Sequence, residues 1–188
     1  MVQCGDVLPS IPLNPVAENS EVDVRERGRL KFSAESLEFF LDDSAKSNRL
    51  KGVVLHDILS RIITVEDLHE SVVASVMSGD LTEQEAQEAE MMLASRIAEV
   101  ADRMWFIGGE VMNEVSLVNT DGKIYRPDRV VLREGKVTII DYKFGEHEEK
   151  YLGQLRKYAD IWRRMGYAEV EAHLWYVISG DIVNVSLS

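Results

Sequence analysis

The sequence predicts an α/β protein in which a helical first half precedes a mixed β-sheet. Up to Trp105 apolar residues recur with the helical period of about 3.6, and after it they alternate with the strand period of two. The second half then continues as a three-stranded meander, a helix and further strands. At 188 residues the chain has the length expected of about one domain.

The first half is predicted to hold an arm and a set of helices. Residues 1–31 read as a linker or extended arm, because they contain three of the four prolines and no sustained periodicity. Residues 32–188 read as one domain, helical over 32–105 and sheet-forming over 106–188. The predicted helices cover residues 33–40, 52–63, 66–77 and 82–103. The last one opens at Thr82 with T-E-Q-E, the pattern of a capping box.

The second half is predicted to begin with a meander of strands over 110–118, 123–132 and 136–142. Its turns are Thr120-Asp121-Gly122 and Glu134-Gly135. A helix over 149–165 and two strands over 170–178 and 182–187 follow.

The turn at Glu134-Gly135 predicts a pair of acidic residues on neighbouring strands. A two-residue hairpin turn there places Asp128 directly opposite Asp141, with the two Cβ atoms about 4.5–5.5 Å apart. Lys143 follows Asp141 by two positions, so its side chain lies on the same face. Two carboxylates at this distance can share one divalent cation, and the lysine adds a group that can contact phosphate.

A third carboxylate extends this row if Thr120-Asp121-Gly122 is a three-residue loop with Gly122 in the left-handed conformation. Glu114 then lies opposite Asp128. Three adjacent carboxylates repel one another and need a compensating cation. Mg²⁺ or Mn²⁺ suits this ligand set, because both are hard ions that prefer oxygen. Lys143 would hold the attacking water or offset charge that develops on the phosphate.

The composition limits the classes of site and partner. Cys4 is the only cysteine, which excludes an internal disulfide and a metal or iron–sulfur site built from several thiolates. The net charge of -12 is unusual for a nucleic-acid-binding protein, but residues 122–176 hold 11 Lys and Arg against 9 Asp and Glu. The sequence contains no apolar run of membrane-spanning length and no secretory signal, so a cytoplasmic location is predicted.

Four motifs in order resemble the RecB-type nuclease domain of the PD-(D/E)xK superfamily, found at the C-terminus of RecB and AddA helicase-nucleases. The motifs are G-V-V-L-H ending at His56, R-P-D-R-V around Asp128, I-I-D-Y-K-F-G around Asp141 and Q-L-R-K-Y from Gln154 to Tyr158. The resemblance covers about residues 52–178 and implies a restriction-endonuclease-like core.

The resemblance also implies a role for each matching residue. It makes His56, Asp128, Asp141 and the Tyr142 carbonyl metal ligands, and Lys143 the catalytic lysine. Glu114 matches a glutamate on the preceding strand and joins the catalytic set with Asp128 and Asp141. The resemblance implies that Gln154 and Tyr158 border the site and either contact DNA or position the lysine. Arg126 and Arg129 flank Asp128, which predicts either contact with DNA phosphate or a role in solubility.

The implied function is a Mg²⁺- or Mn²⁺-dependent deoxyribonuclease, acting as an exonuclease on DNA ends in repair and recombination. The chain lacks the G-x-x-x-x-G-K-[ST] loop of ATP-driven motors and has too few cysteines for the iron–sulfur cluster of some relatives. We therefore expect a helicase motor domain in the same full-length polypeptide, and possibly a partner subunit. The alternative is a catalytically silent nuclease fold that binds DNA or a partner.

Overall fold

The computed structural model describes residues 45–186, and side chains from Lys51 onward. It contains four α-helices, and two short 3-10 helices at Val65–Asp67 and Ala101–Arg103. The α-helices are α1 (Ala45–Arg61), α2 (Leu68–Met77), α3 (Glu83–Glu99) and α4 (Lys150–Arg164). The predicted arm over 1–31 and the predicted helix over 33–40 lie outside the described residues.

Seven strands form two sheets. They are β1 (Glu110–Asn113), β2 (Leu117–Val118), β3 (Ile124–Tyr125), β4 (Arg129–Arg133), β5 (Lys136–Lys143), β6 (Glu169–Tyr176) and β7 (Asp181–Asn184). The main sheet has the order β1-β4-β5-β6-β7, and β2 pairs with β3 in a separate hairpin. Only β5 and β6 run parallel, because α4 connects them; the other pairs are antiparallel. The predicted mixed sheet is confirmed.

The turn between β4 and β5 has the predicted register. Arg133 pairs with Lys136 and Arg129 with Ile140, so the alignment continues to Asp128 and Asp141. The two turn residues have φ angles of 51° at Glu134 and 81° at Gly135. Positive φ at both positions is the feature of the turn type whose twist matches that of the flanking strands.

The first two predicted strands are each interrupted, which corrects their expected continuity. Asn113 pairs with Arg129 at the end of β1, and pairing resumes where Leu117 meets Tyr125. Between these pairs Glu114 has a φ of 50°, and Pro127 provides no backbone N–H for a ladder. The predicted alignment survives the interruption, since Glu114 N donates to Asp128 O at 2.9 Å.

The loop at the far end of this hairpin is also as predicted. Asn119 N donates to Lys123 O and Gly122 N to Asn119 O, each at 2.9 Å, which leaves a three-residue loop. Gly122 has the expected positive φ of 76°.

The helices pack on both faces of the main sheet. Residues of α1, α2 and α3 share one buried cluster with alternate strand residues such as Val131, Ile140 and Tyr142. Residues of α4 share a second cluster with Val130, Val137 and Ile139, which point the other way. The end of the sheet near Asp141 therefore lies between a helical layer on each side.

Helix α3 begins as predicted and ends earlier than predicted. Thr82 Oγ1 accepts from Glu85 N at 3.3 Å, while the Glu85 carboxylate accepts from Thr82 N at 2.8 Å. The helix ends at Glu99 instead of reaching Arg103, because the chain tightens into the 3-10 turn and then turns left-handed at Met104, with φ of 60°.

Every helix within residues 45–186 is too short or too polar to cross a bilayer.

Substitution of the turn glycine tests the hairpin geometry. Gly135→Ala should destabilise the protein by about 1–2 kcal/mol, because alanine is strained at a φ of 81°. The matched control is Gly153→Ala on the exposed side of α4, where a methyl group meets no atom within 4 Å. This substitution should raise the free energy of unfolding by at most about 1 kcal/mol, because alanine favours a helix more than glycine does. Urea denaturation measures both changes, and equal effects would contradict the assigned turn.

Candidate active site

The predicted carboxylate pair lies at the end of the hairpin formed by β4 and β5. Asp128 immediately precedes β4, and its Oδ2 accepts a hydrogen bond from Tyr142 N at 2.6 Å. That bond links the Asp128 side chain to the backbone beside Asp141. The pairing predicted from the turn thus brings the two acidic residues together on neighbouring strands.

Asp141 is almost completely removed from solvent, with 1 % of its surface exposed. Burial raises the pKa of its carboxyl to about 6, and the negative charge of Asp128 adds to the rise. The Lys143 ammonium donates to Asp141 Oδ2 and opposes the rise. The site therefore already contains a carboxylate that requires a neighbouring positive charge or a proton.

His56 reaches the carboxylates from α1. Its Nε2 lies 3.0 Å from Asp128 Oδ1, and its Nδ1 lies 3.6 Å from Glu114 Oε1. The hydrogen bond to Asp128 raises the pKa of the imidazole against the opposing effect of burial. The imidazole thus lies between two of the three predicted carboxylates, and the left-handed Glu114 turns its side chain to the same region.

Lys143 is held on the α4 side of the site. Its ammonium contacts Asp141 and lies 4.5 Å from the centre of the Tyr151 ring, at the start of α4. The face of an aromatic ring attracts a cation. Tyr151 therefore helps to fix the lysine beside the carboxylates, a role that no sequence motif indicated.

Gln154 and Tyr158 position the segment that leads to Asp128. Gln154 Nε2 donates to the Tyr158 hydroxyl, which donates to Arg126 O at 3.2 Å. Tyr158 is 2 % exposed, and burial raises its pKa to about 12. The prediction that Tyr158 contacts DNA is therefore wrong, because its ring lies in the core and its hydroxyl supports the backbone two residues before Asp128.

Arg129 is also wrongly predicted as a DNA contact. Its side chain is completely buried, and its five N–H groups make five hydrogen bonds. Three carbonyls and one side-chain amide accept them, at 2.6–3.3 Å: Trp105 O, Ile62 O, Ile63 O and Asn113 Oδ1. No donor of this guanidinium remains for a phosphate.

Arg129 and Asn113 together bind the C-terminal end of α1. Asn113, the cross-strand partner of Arg129, donates to Ser60 O at 2.6 Å and to Ile62 O at 3.0 Å. A cation at the carbonyl end of a helix is favourable. This clamp fixes α1 against β1 and β4, and so sets the position of His56 one turn earlier in the helix. The two-residue strand period could have shown that Arg129 faces away from Asp128.

The positions of Arg126, Gln154 and Tyr142 neither confirm nor contradict the roles predicted for them. Arg126 is exposed, and its Nη2 lies 3.5 Å from Ser116 Oγ, while Gln154 is half-buried. Their contact with DNA stays a prediction. The Tyr142 ring packs in the core 5.8 Å from the Trp175 ring and 6.1 Å from the His56 ring, between ring centres. The ligand role of the Tyr142 carbonyl also stays a prediction.

The donor atoms of the site suit a hard divalent cation, since they are carboxylate oxygens with one imidazole. Asp141 is buried beside Asp128, so a positive charge at this place is favourable. Within residues 45–186, however, no three His, Cys, Asp or Glu side chains are arranged as a ligand set. His56, Lys143 and Tyr142 N occupy the carboxylate oxygens instead.

The five-stranded mixed sheet, with helices on both faces and acidic residues at the end of its central hairpin, has the predicted restriction-endonuclease-like architecture. The sequence matches the family model of the PD-(D/E)XK nuclease superfamily over residues 20–185. The chain therefore belongs to this superfamily, whose members are nucleases that generally use divalent metals. No curated protein sequence matches the chain.

Removal of the Arg129 side chain tests the clamp on α1. Arg129→Met should destabilise the protein by about 3–5 kcal/mol, because several buried carbonyls lose their donors. Arg129→Lys should recover only part of this loss, since an ammonium lacks the planar fork. The control Arg126→Met, on an exposed side chain, should stay within about 0.5 kcal/mol of wild type in urea denaturation. A stable Arg129→Met protein would contradict the clamp.

The raised pKa of Asp141 predicts a pH-dependent stability in the absence of metal. The folded protein binds this proton more tightly than the unfolded chain, so the contribution of Asp141 to stability falls as the pH rises from about 4 to about 6. Relative to wild type, Asp141→Asn should gain up to about 3 kcal/mol between pH 4 and 7.5. Denaturation in EDTA across this range measures the difference, and a flat difference would exclude the shifted pKa.

Proposed function

We propose that the protein is a divalent-metal-dependent nuclease that hydrolyses phosphodiester bonds in DNA. The proposal depends on the pairing of Asp128 with Asp141 at the end of the hairpin formed by β4 and β5. His56 contacts Asp128 and Lys143 contacts Asp141. The chain that carries this arrangement belongs to a nuclease superfamily. Asp128, Asp141 and His56 would hold Mg²⁺ or Mn²⁺. When bound, the cation supplies positive charge to a phosphoryl oxygen and makes water more acidic.

The residues around the carboxylates can exchange partners during the reaction. Lys143 neutralises Asp141 before a cation binds, and release from Asp141 frees its ammonium for the negative charge that develops on the phosphate. His56 likewise contacts Asp128 before a cation binds and would be released from it afterwards. Tyr151, over which the Lys143 ammonium lies, limits how far the released lysine moves. Glu114 adds a further carboxylate at the edge of the site, within reach of His56.

The more specific part of the proposal concerns the substrate and the context. We propose an exonuclease of DNA ends of the RecB and AddA type, working in repair and recombination in the cytoplasm beside a helicase motor. The acidic net charge supports a motor that supplies DNA affinity, because the chain has 33 Asp and Glu against 21 Lys and Arg, and the stretch 122–176 has only two more basic than acidic residues. Degradation of linear but not circular single-stranded DNA would support exonuclease action.

A catalytically silent DNA-binding module is the second candidate. It is favoured by the closed network at the site, in which protein donors occupy the oxygens that a cation would need. The two candidates differ in one observable, since a silent module binds DNA without cleaving it with any divalent metal.

Cleavage assays with matched variants test the proposed activity. Linear DNA should be degraded with Mg²⁺ or Mn²⁺ and remain intact in EDTA, and Asp141→Asn and Lys143→Met should each lower kcat by about 10²–10³-fold or more. Asp160→Asn, on the exposed side of α4, and Lys136→Met, at the other end of β5, are controls expected to keep wild-type rates. Full activity in the Asp141 or Lys143 variant would refute the proposal.

A further inference from the structure

A cleft of about 490 Å³ opens beside Lys143, between the middle of α1 and the loop that follows β5. Its walls include Lys143, Gly52 on α1, His147 in the loop and Tyr176 at the end of β6. Gly52 allows this arrangement, because a Cβ there would lie 3.2 Å from Phe144 Cβ. The cleft shares Lys143 with the carboxylate site, and its other lining residues have no role in the proposed reaction.

His147 forms an aromatic platform in this cleft. Its ring is stacked on that of Tyr176, with 3.7 Å between ring centres and 8° between planes. Tyr176 is buried and fixed by the core, whereas the His147 side chain is 54 % exposed. The His147 Nε2 also lies 3.4 Å from Asp181 Oδ2, which restrains the ring. One face of the imidazole is covered by the tyrosine, and the half-exposed side chain lines the cleft.

The cleft is lined by two lysines and two carboxylates, so it has no excess of positive charge that would favour a second phosphate. Lys51 and Lys143 line it together with Glu146 and Asp181, and the two carboxylates can accept hydrogen bonds from the amino groups of a base. Positive charge is provided at the Lys143 end, where the reacting phosphate would lie. A nucleotide fits this arrangement, because its phosphate would lie at Lys143 and its flat uncharged base would lie at His147.

We propose that the cleft binds the base of the nucleotide next to the phosphate at Lys143, stacked on His147. The proposal rests on the proposed nuclease function and adds a substrate subsite to it. Stacking on an aromatic side chain has little dependence on base identity, because every base has a π-face. The subsite therefore favours an unpaired nucleotide and tolerates any sequence, which fits action on single strands or frayed ends.

Fluorescence of 2-aminopurine tests the subsite without cleavage. Single-stranded oligodeoxynucleotides, each with the probe at one position, are bound in EDTA to the Asp141→Asn protein. We expect the fluorescence to be quenched when the probe is at one position. Adding His147→Ala should abolish this quenching and weaken the Kd roughly tenfold. Adding His147→Phe should retain the quenching, because phenylalanine keeps a flat ring on Tyr176. The control is His69→Ala, an exposed histidine on α2 paired with Glu90, which should change nothing.

A parallel cleavage assay of the wild-type protein with Mn²⁺ separates the two proposals. Cleavage together with quenching that His147→Ala leaves unchanged, or with no quenching, overturns the subsite alone. Quenching that depends on His147 without cleavage supports the subsite and removes the catalytic function. Absence of both cleavage and oligonucleotide binding overturns both.

Discussion

The structure depends on the burial of Asp141 beside a second carboxylate. Removing a carboxylate from water costs several kcal/mol unless its charge is compensated. Here the compensation comes from both helical layers, since α1 brings His56 to Asp128 and the strand itself brings Lys143 to Asp141, where Tyr151 of α4 supports it. At this end of the sheet the two carboxylates therefore repel each other, and the basic side chains of His56 and Lys143 compensate their charge. Such an arrangement suits a site for a divalent ion and a phosphate.

The buried polar groups around this pair hold its geometry. Arg129 and Asn113 bind the carbonyl end of α1, which determines where His56 lies. Gln154 and Tyr158 bind the carbonyl of Arg126 and so hold the backbone that leads into Asp128. The first support comes from β1 and β4 and the second from α4, so two different parts of the fold hold the positions of the site residues.

Much of the site was predictable because its register is a local property. Glu134-Gly135 can adopt two successive positive φ angles, and this turn alone sets Asp128 against Asp141. The break in the longer hairpin had a signal in Pro127, which cannot donate to a ladder. The strand period could show which way Arg129 faces, but its partners could not be identified from sequence, because they include backbone carbonyls 24–67 residues away and a carbonyl has no sequence signature. The stack of His147 on Tyr176 depends likewise on where a loop returns to the sheet.

We propose that Asp128, Asp141 and His56 form one cation site, in which protons and protein cations occupy the places of a divalent ion. Calorimetric titration with Mn²⁺ near pH 6, repeated in buffers of different ionisation enthalpy, measures both binding and proton release. We expect Mn²⁺ binding that releases about one proton, because ligands must be deprotonated, and the loss of both binding and proton release in Asp141→Asn. Absence of Mn²⁺ binding by the wild-type protein, or binding with no proton released, would contradict it.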